Sequence, residues 1–276
     1  MDIIPRSDGP NDPGEVTQRM MISQPRSGTH WLKFMISRIL GQAPLDARLD
    51  TPEDVSAALE TEAPHRLVYE HLAYDSFASV LDPAVRPRLR LLVLYRNPVD
   101  ARISAFNRFA HFQNLQLPDP ELDAVENFRL YLRGHWRNRL PTGKAAQALV
   151  EIPFQDWVRN WSAAWVKRGG CLPVRYEDLV RDTENELERV LRYLRIDYTT
   201  ERIRETVSEY AFEKLSGGRA RGTVDVGSHY RRGQPGEWTE ALDERDLAEV
   251  NLQIGDYLEV LGYRMVASDL ASVAKT

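Results

Sequence analysis

The sequence predicts a three-layer α/β protein, with a central parallel sheet flanked by helices. Four compact apolar or aromatic runs are each bounded by polar or turn residues, as buried strands are: "QRMMIS" at 18–23, "HRLVYEHL" at 65–72, "LRLLVLYR" at 89–96 and "CLPVRYEDL" at 171–179. Helical patterns separate them, and strands alternating with helices give a parallel sheet covered on both faces. Right-handed crossovers then bring the carboxyl ends of the strands to one edge, where ligands bind.

Taken in order, "MDIIPRSDGPNDPGEV" is acidic and rich in Pro and Gly, the opposite of a secretory signal. It reads as a flexible leader at 1–16, before a single domain at 17–270. The first strand passes into the helical pattern "THWLKFMISRIL", the third into "NPVDARISAFNRF" and the fourth into "TENELERVLRYL". Between His111 and Phe154, the turn-rich pieces "NLQLPDPELD" and "LPTGKAAQ" surround an aromatic helical stretch, which suggests an insertion or lid on the core. A second irregular stretch runs from Ser216 to Trp238. Loops of that length inside a compact domain are functional or disordered.

The 276 residues suffice for one large domain that needs no covalent staples. A formal net charge of -5 argues against nucleic acid as a partner, although a basic cleft focuses its own field whatever the total. The one cysteine, Cys171, excludes an internal disulfide and suits a reducing, cytoplasmic setting. Its place in an apolar-leaning run favours a small buried residue over a thiol nucleophile. No run approaches the ~18 apolar residues of a membrane span. The histidines show no metal-ligand spacing, so no metal is expected.

The chemistry concentrates where the first strand turns into its helix. A strand running into a polar turn that opens a helix makes an anion site, because the first-turn N–H groups are unpaired and the helix dipole favours negative charge. Gly28 lets backbone approach a ligand, Ser27 and Thr29 offer hydroxyls, and Arg26 offers a fixed charge. A plain N-cap at Ser27 or Thr29 is the simpler alternative. The G-x-x-x-x-G-K-[ST] loop of nucleoside triphosphatases is absent. "LRLLVLYRNPVDARISAF" repeats the logic, with Arg96 at a strand end, Pro98 opening a helix and Ser104 two turns on. An arginine and a serine aimed at one point suit a second phosphate.

With these motifs the chain resembles the PAPS-dependent sulfotransferases. "QPRSGTHW" is similar to the 5′-phosphosulfate loop, whose usual pattern is Pro-Lys-Ser-Gly-Thr-Thr-Trp. "YRNPVDARIS" is similar to the 3′-phosphate motif Arg-Asn-x-x-Asp-x-x-x-Ser, matched at Arg96, Asn97, Asp100 and Ser104. "YRRGQPGEW" resembles the closing Arg-Lys-Gly-x-x-Gly-Asp-Trp, matched at Arg231, Gly233, Gly236 and Trp238, and "RYEDL" resembles the segment whose tyrosine, here Tyr176, approaches the adenine. The resemblance implies the P-loop-NTPase-like sulfotransferase fold. It also implies transfer of a sulfonate group from 3′-phosphoadenosine 5′-phosphosulfate (PAPS) to a hydroxyl, less readily an amine, of a small molecule.

By the same resemblance, Arg26 stands where a lysine usually neutralises the leaving oxygen, and arginine can give charge and grip but no proton. Arg26, Ser27, Gly28, Thr29 and His30 would hold the phosphosulfate end. Arg96, Ser104, Arg231, Arg232 and Gly233 would hold the 3′-phosphate, and Trp31, Tyr176 and Phe212 the adenine. His71 in "VYEHLAYD" matches the family's general base, with Glu70 as the alternative. Phe106, Phe109, Tyr131 and Trp136 are candidates to line an acceptor pocket, although rings at helical spacing are more often core. The chain departs from the pattern at His30, where the second threonine stands, and at Tyr69, where many members carry a lysine. A kinase of related fold and a non-catalytic nucleotide-binding protein are the competing readings, and nothing separates a monomer from a homodimer.

Overall fold

The run from Gln18 to Ser23 forms strand β1, buried from Arg19 onward, at the middle of a four-stranded sheet. Its partners are β2 (Val68–Glu70), β3 (Leu89–Tyr95) and β4 (Cys171–Arg175), in the order β2-β1-β3-β4, and every pairing is parallel. This computed structural model describes residues 18–45, 49–63, 65–112, 119, 121–134 and 151–266, with backbone alone at 109–112. The expected leader at 1–16 lies outside the described residues, as does much of the expected insertion. The family of folds anticipated from the alternation of strands and helices is the one observed.

Side chains alternate across the sheet as a two-residue period requires. Met20, Ile22, Leu91, Val93 and Tyr95 enter one core, and Met21, Leu92, Leu94 and Val174 enter the other. The helices, in order, are α1 (Thr29–Leu40), α2 (Pro52–Thr61), α3 (Tyr74–Phe77), α4 (Pro98–Phe112) and α5 (Ala124–Leu132). After these come α6 (Phe154–Val158), a π-helical turn (Arg159–Ala163) and α7 (Ala164–Arg168). The rest are α8 (Tyr176–Arg181), α9 (Thr183–Tyr193), α10 (Thr200–Glu209), α11 (Phe212–Leu215), α12 (Trp238–Ala241) and α13 (Glu244–Val260). Helices α1, α9 and α10 cover one face, and α2, α4, α5, α6 and α13 cover the other.

One expected strand ends early. "RYEDL" leaves the sheet at Tyr176 and becomes α8, because β3 offers no partner past the Tyr95–Arg175 pairing. Glu177 and Asp178 then suit the positive end of a new helix. Pro173 is tolerated within β4 because β4 is an edge strand.

The helix starts are closed in different ways, with single side-chain caps at α9 (Asp182) and α10 (Thr199). Reciprocal capping boxes close α2 (Thr51 with Asp54), α5 (Asp123 with Glu126) and α13 (Asp243 with Asp246). Helix α1 has instead a left-handed Gly28 at its start, no side-chain cap and no acidic residue in its first turn. Its open N–H groups face the sheet edge where Ser23, Glu70, Tyr95 and Arg175 end.

Asp246 ties α13 to α5. It is fully buried, accepts Arg129 Nε at 2.7 Å, and is also bonded to Arg133. Removing it strands two guanidinium groups, so Asp246→Ala is expected to lose about 3 kcal/mol of stability, read as a fall in the urea midpoint.

Candidate active site

The turn between β1 and α1 is stitched to the end of β3. Gln24 N–H donates to Leu94 O at 2.9 Å, and Gln24 Oε1 accepts from Arg96 N–H at 2.9 Å. Ser27 Oγ donates inward, to Gln24 O at 2.6 Å with Leu94 O at 3.3 Å. The Ser27 hydroxyl therefore braces the turn and does not line the cavity above it. Arg26 holds a left-handed φ of 72°, a conformation a side chain disfavours, and its Nε donates to Ser104 Oγ at 3.3 Å. At Gly28, with φ 91°, an added Cβ would stand 2.8 Å from the Tyr176 ring, so glycine is required for shape as well as backbone freedom.

The second turn is organised by Asp100. This fully buried carboxylate accepts from Arg96 at 3.3 Å, from Gly236 N–H at 2.7 Å and from Trp238 N–H at 2.8 Å. Arg96 also donates to Gln234 O at 3.2 Å, and its guanidinium lies 4.9 Å from the Tyr176 ring centroid. The late loop is thereby fastened to the strand ends. Inside the loop, Arg219 donates to the carbonyls of Thr223, Tyr230 and Arg231, and Arg221 donates to Gly233 O at 2.7 Å. Arg231 pairs with Glu237 and Arg232 with Glu240. At Gly233, with φ 65°, a Cβ would sit 2.2 Å from Phe212, so ring and loop approach as closely as glycine allows.

These pieces enclose a cavity of about 200 Å³. Arg26, Gly28, Thr29, His30, Trp31, His71, Arg96, Ser104, Tyr176, Phe212, Arg231, Arg232 and Gly233 line it, together with Arg221, His229 and Tyr230. No carboxylate is among the lining residues. Burial, then the charges of Arg108, Arg96 and Arg231, pull Arg26 down to about 10, which leaves it a cation at neutral pH. The Nε–H groups of Arg96, Arg231 and Arg232 are buried with no acceptor among the described residues. These atoms are shielded from the cavity, as are the unpartnered guanidinium nitrogens of Arg102, Arg133 and Arg168 elsewhere, so it is the cationic side chains lining the cavity that suit an anion with several oxygens.

His71 follows β2 and reaches across to the end of β1. Its Nδ1 lies 2.7 Å from Ser23 O and 3.1 Å from Ser23 Oγ, and that hydroxyl accepts from Thr29 Oγ1 at 2.9 Å. A carbonyl only accepts, so Nδ1 carries the proton and Nε2 keeps its lone pair. His71 as a residue keeps access to solvent, but the protein atoms crowding its ring lower its pKa, opposed by the Ser23 carbonyl and Glu70 and assisted by Arg26 and Lys33. Glu70 Oε1 is engaged by the backbone N–H of His71 at 2.7 Å. His30 lies 5.1 Å from His229, ring to ring, and burial with the charge of Lys33 holds it down to about 4.

The loop bearing His71 is seated by two indoles. Trp161 Nε1 donates to His71 O at 3.3 Å and Trp165 Nε1 to Leu72 O at 3.0 Å. Trp161 lies in the π-helical turn, whose extra residue per turn alters the spacing between the two rings.

Other expected positions fall elsewhere. Phe106 and Tyr131 are core residues, and the Tyr131 hydroxyl accepts from Arg102 and donates to Ile152 O. Glu70 does not line the cavity. The Phe109 side chain and Trp136 lie outside the described residues. Arg221, whose guanidinium lies 5.2 Å from the Trp31 ring and 5.4 Å from Phe212, was not anticipated, nor were the two indoles. Among the described residues, no group of three or more His, Cys, Asp or Glu is arranged to hold a metal, and no helix is long and apolar enough to cross a membrane.

The structure thus shows a cation-lined cavity at the edge of a parallel sheet, with a histidine among its lining residues. The family model for the sulfotransferase domain matches residues 17–259, and the chain belongs to that family. It is similar to Cytosolic sulfotransferase 12 of Arabidopsis thaliana, 24% identical over 89% of this chain and 78% of the relative. It is also similar to Sulfotransferase 1C2 of Homo sapiens, 25% identical over 82% of this chain and 79% of the relative. A crystal structure of mouse sulfotransferase SULT7A1 complexed with PAP shares the fold, with a TM-score of 0.61 at 20% identity over 95% and 89% of the two chains.

Asp100→Asn keeps the shape but exchanges one acceptor oxygen for a donor that clashes with Gly236 or Trp238 N–H. Tryptic cleavage within 216–238 is expected to speed up by about tenfold or more, since local opening sets cleavage there. Unchanged cleavage would mean the loop is held by other contacts.

Proposed function

We propose that this protein transfers a sulfonate group from PAPS to a hydroxyl of a small-molecule acceptor, with His71 as general base. The observation that carries the reading is the 2.7 Å approach of His71 Nδ1 to the Ser23 carbonyl. A carbonyl only accepts, so Nδ1 keeps its proton and the free ring nitrogen is Nε2, on an imidazole held neutral beside a cation-lined cavity.

The donor is suited to the residues present: Arg26, Arg96, Arg231 and Arg232 line one cavity, together with the uncapped start of α1. Bound PAPS supplies a sulfonate on a good leaving group, charged at both ends. Arg96, Arg231, Arg232, Ser104 and the Gly233 backbone would hold its 3′-phosphate. Arg26, the first-turn N–H groups of α1 and Thr29 would hold the phosphosulfate, with Arg26 placed to stabilise charge on the departing phosphate. Trp31, Tyr176 and Phe212 would bound the adenine. His71 Nε2 then takes the acceptor's proton as its oxygen attacks sulfur.

Adenosine 3′,5′-bisphosphate is expected to raise the melting temperature without added magnesium, and ATP with magnesium is not. The reverse pattern would favour the kinase reading.

His71→Ala is expected to keep the affinity for the bisphosphate and lose ~10²–10⁴-fold in turnover. Because the folded protein lowers the His71 pKa, the wild-type rate is expected to stay flat through neutral pH and to fall only below the ordinary imidazole range, as Nε2 becomes protonated. An acid limb centred at or above 6.5 would assign the base elsewhere.

A further inference from the structure

Lys33 has no role in the site as described so far, yet its surroundings are unusual. The residue is 5% exposed, on the second turn of α1. Its Nζ lies 3.8 Å from the Tyr69 ring centroid and 4.9 Å from that of Phe34, and no carboxylate pairs with it among the described residues. Burying an ammonium is costly unless an anion compensates it, and a ring face compensates only in part. Tyr69 precedes His71 by two residues, and His30 stands one helical turn before Lys33. Lys33 does not itself line the cavity, but it sits one helical turn from His30 and on the ring two residues before His71, and its charge acts on both imidazoles.

We propose that Lys33 is a positioning residue of the transfer site, an uncompensated ammonium seated on Tyr69 that draws the donor's sulfonate, in preference to the desulfonated product, towards His30 and His71. The inference rests on the donor assigned above. The same charge acts on the base. His71 is faced by Glu70 on its own segment, by the Ser23 carbonyl from β1, by Arg26 from the β1–α1 turn and by His30 and Lys33 from α1, while Trp161 donates to its carbonyl. Lys33 and Arg26 oppose protonation of His71, and Glu70 and the carbonyl favour it. Of the charges around His30, Lys33 has the largest effect.

The test is calorimetric titration of the full chain, and of its K33M, K33Q and K33R variants, with adenosine 3′,5′-bisphosphate and with PAPS, alongside the pH–rate profile. In K33M and K33Q, affinity for the bisphosphate is expected to hold within about twofold while affinity for PAPS falls about fivefold or more, with K33R restoring most of the difference. The acid limb is expected to move upward by roughly half a pH unit, because losing a neighbouring cation lets His71 protonate sooner. Equal losses for the two nucleotides, or no loss with an unmoved acid limb, would reduce Lys33 to a packing residue and overturn the proposal. Failure of the wild-type chain to bind the bisphosphate would overturn the donor assignment, and this proposal with it.

Discussion

Asp100 is the buried charge through which two distant pieces of chain are held together. It is wholly buried, and its two oxygens are taken by the Arg96 guanidinium and by the backbone N–H groups of Gly236 and Trp238. A buried carboxylate is tolerable only when it is satisfied in this way, and losing any partner leaves the others exposed to a large penalty. The arrangement couples the carboxyl end of β3 to a loop more than a hundred residues later. It also sets where Arg231, Arg232 and Gly233 stand. The cavity is less a pocket between finished elements than a consequence of this closure.

The first turn of α1 shows the complementary economy. Helices α2, α5 and α13 begin with reciprocal side-chain caps and α9 and α10 with single ones, but the helix at the sheet edge begins on an uncapped glycine. The hydroxyls that could have capped it are used otherwise: Ser27 braces the turn from below, and Thr29 bonds to the Ser23 hydroxyl beside His71. Donors that would stabilise an isolated helix are left open towards the cavity, and Arg26 accepts an unfavourable backbone angle alongside them. Local stability is sacrificed at the place where an anion is expected to restore it.

Much of this was legible in the sequence because strand ends announce themselves. Apolar runs that stop at a polar turn placed Arg26, Gly28, Arg96 and Ser104 at one edge, and all four line the cavity. What was not legible is direction. Nothing in "PRSGT" says that the Ser27 hydroxyl turns inward while the Thr29 hydroxyl reaches Ser23. Helical spacing could not separate a pocket-lining ring from a core ring, and Phe106 and Tyr131 proved to be core. The wiring of the late loop was equally hidden, since Arg219 and Arg221 choose their carbonyl partners only once the loop has closed.

The π-helical turn at Arg159–Ala163 decides which way two indoles point. Trp161 within the turn and Trp165 just beyond it grip successive carbonyls at His71 and Leu72. Wound as regular α-helix, the same residues would carry Trp165 about 100° round the axis, away from the peptide it holds. The wide turn takes up that difference, so one helix can present both rings to adjacent peptides of a single loop.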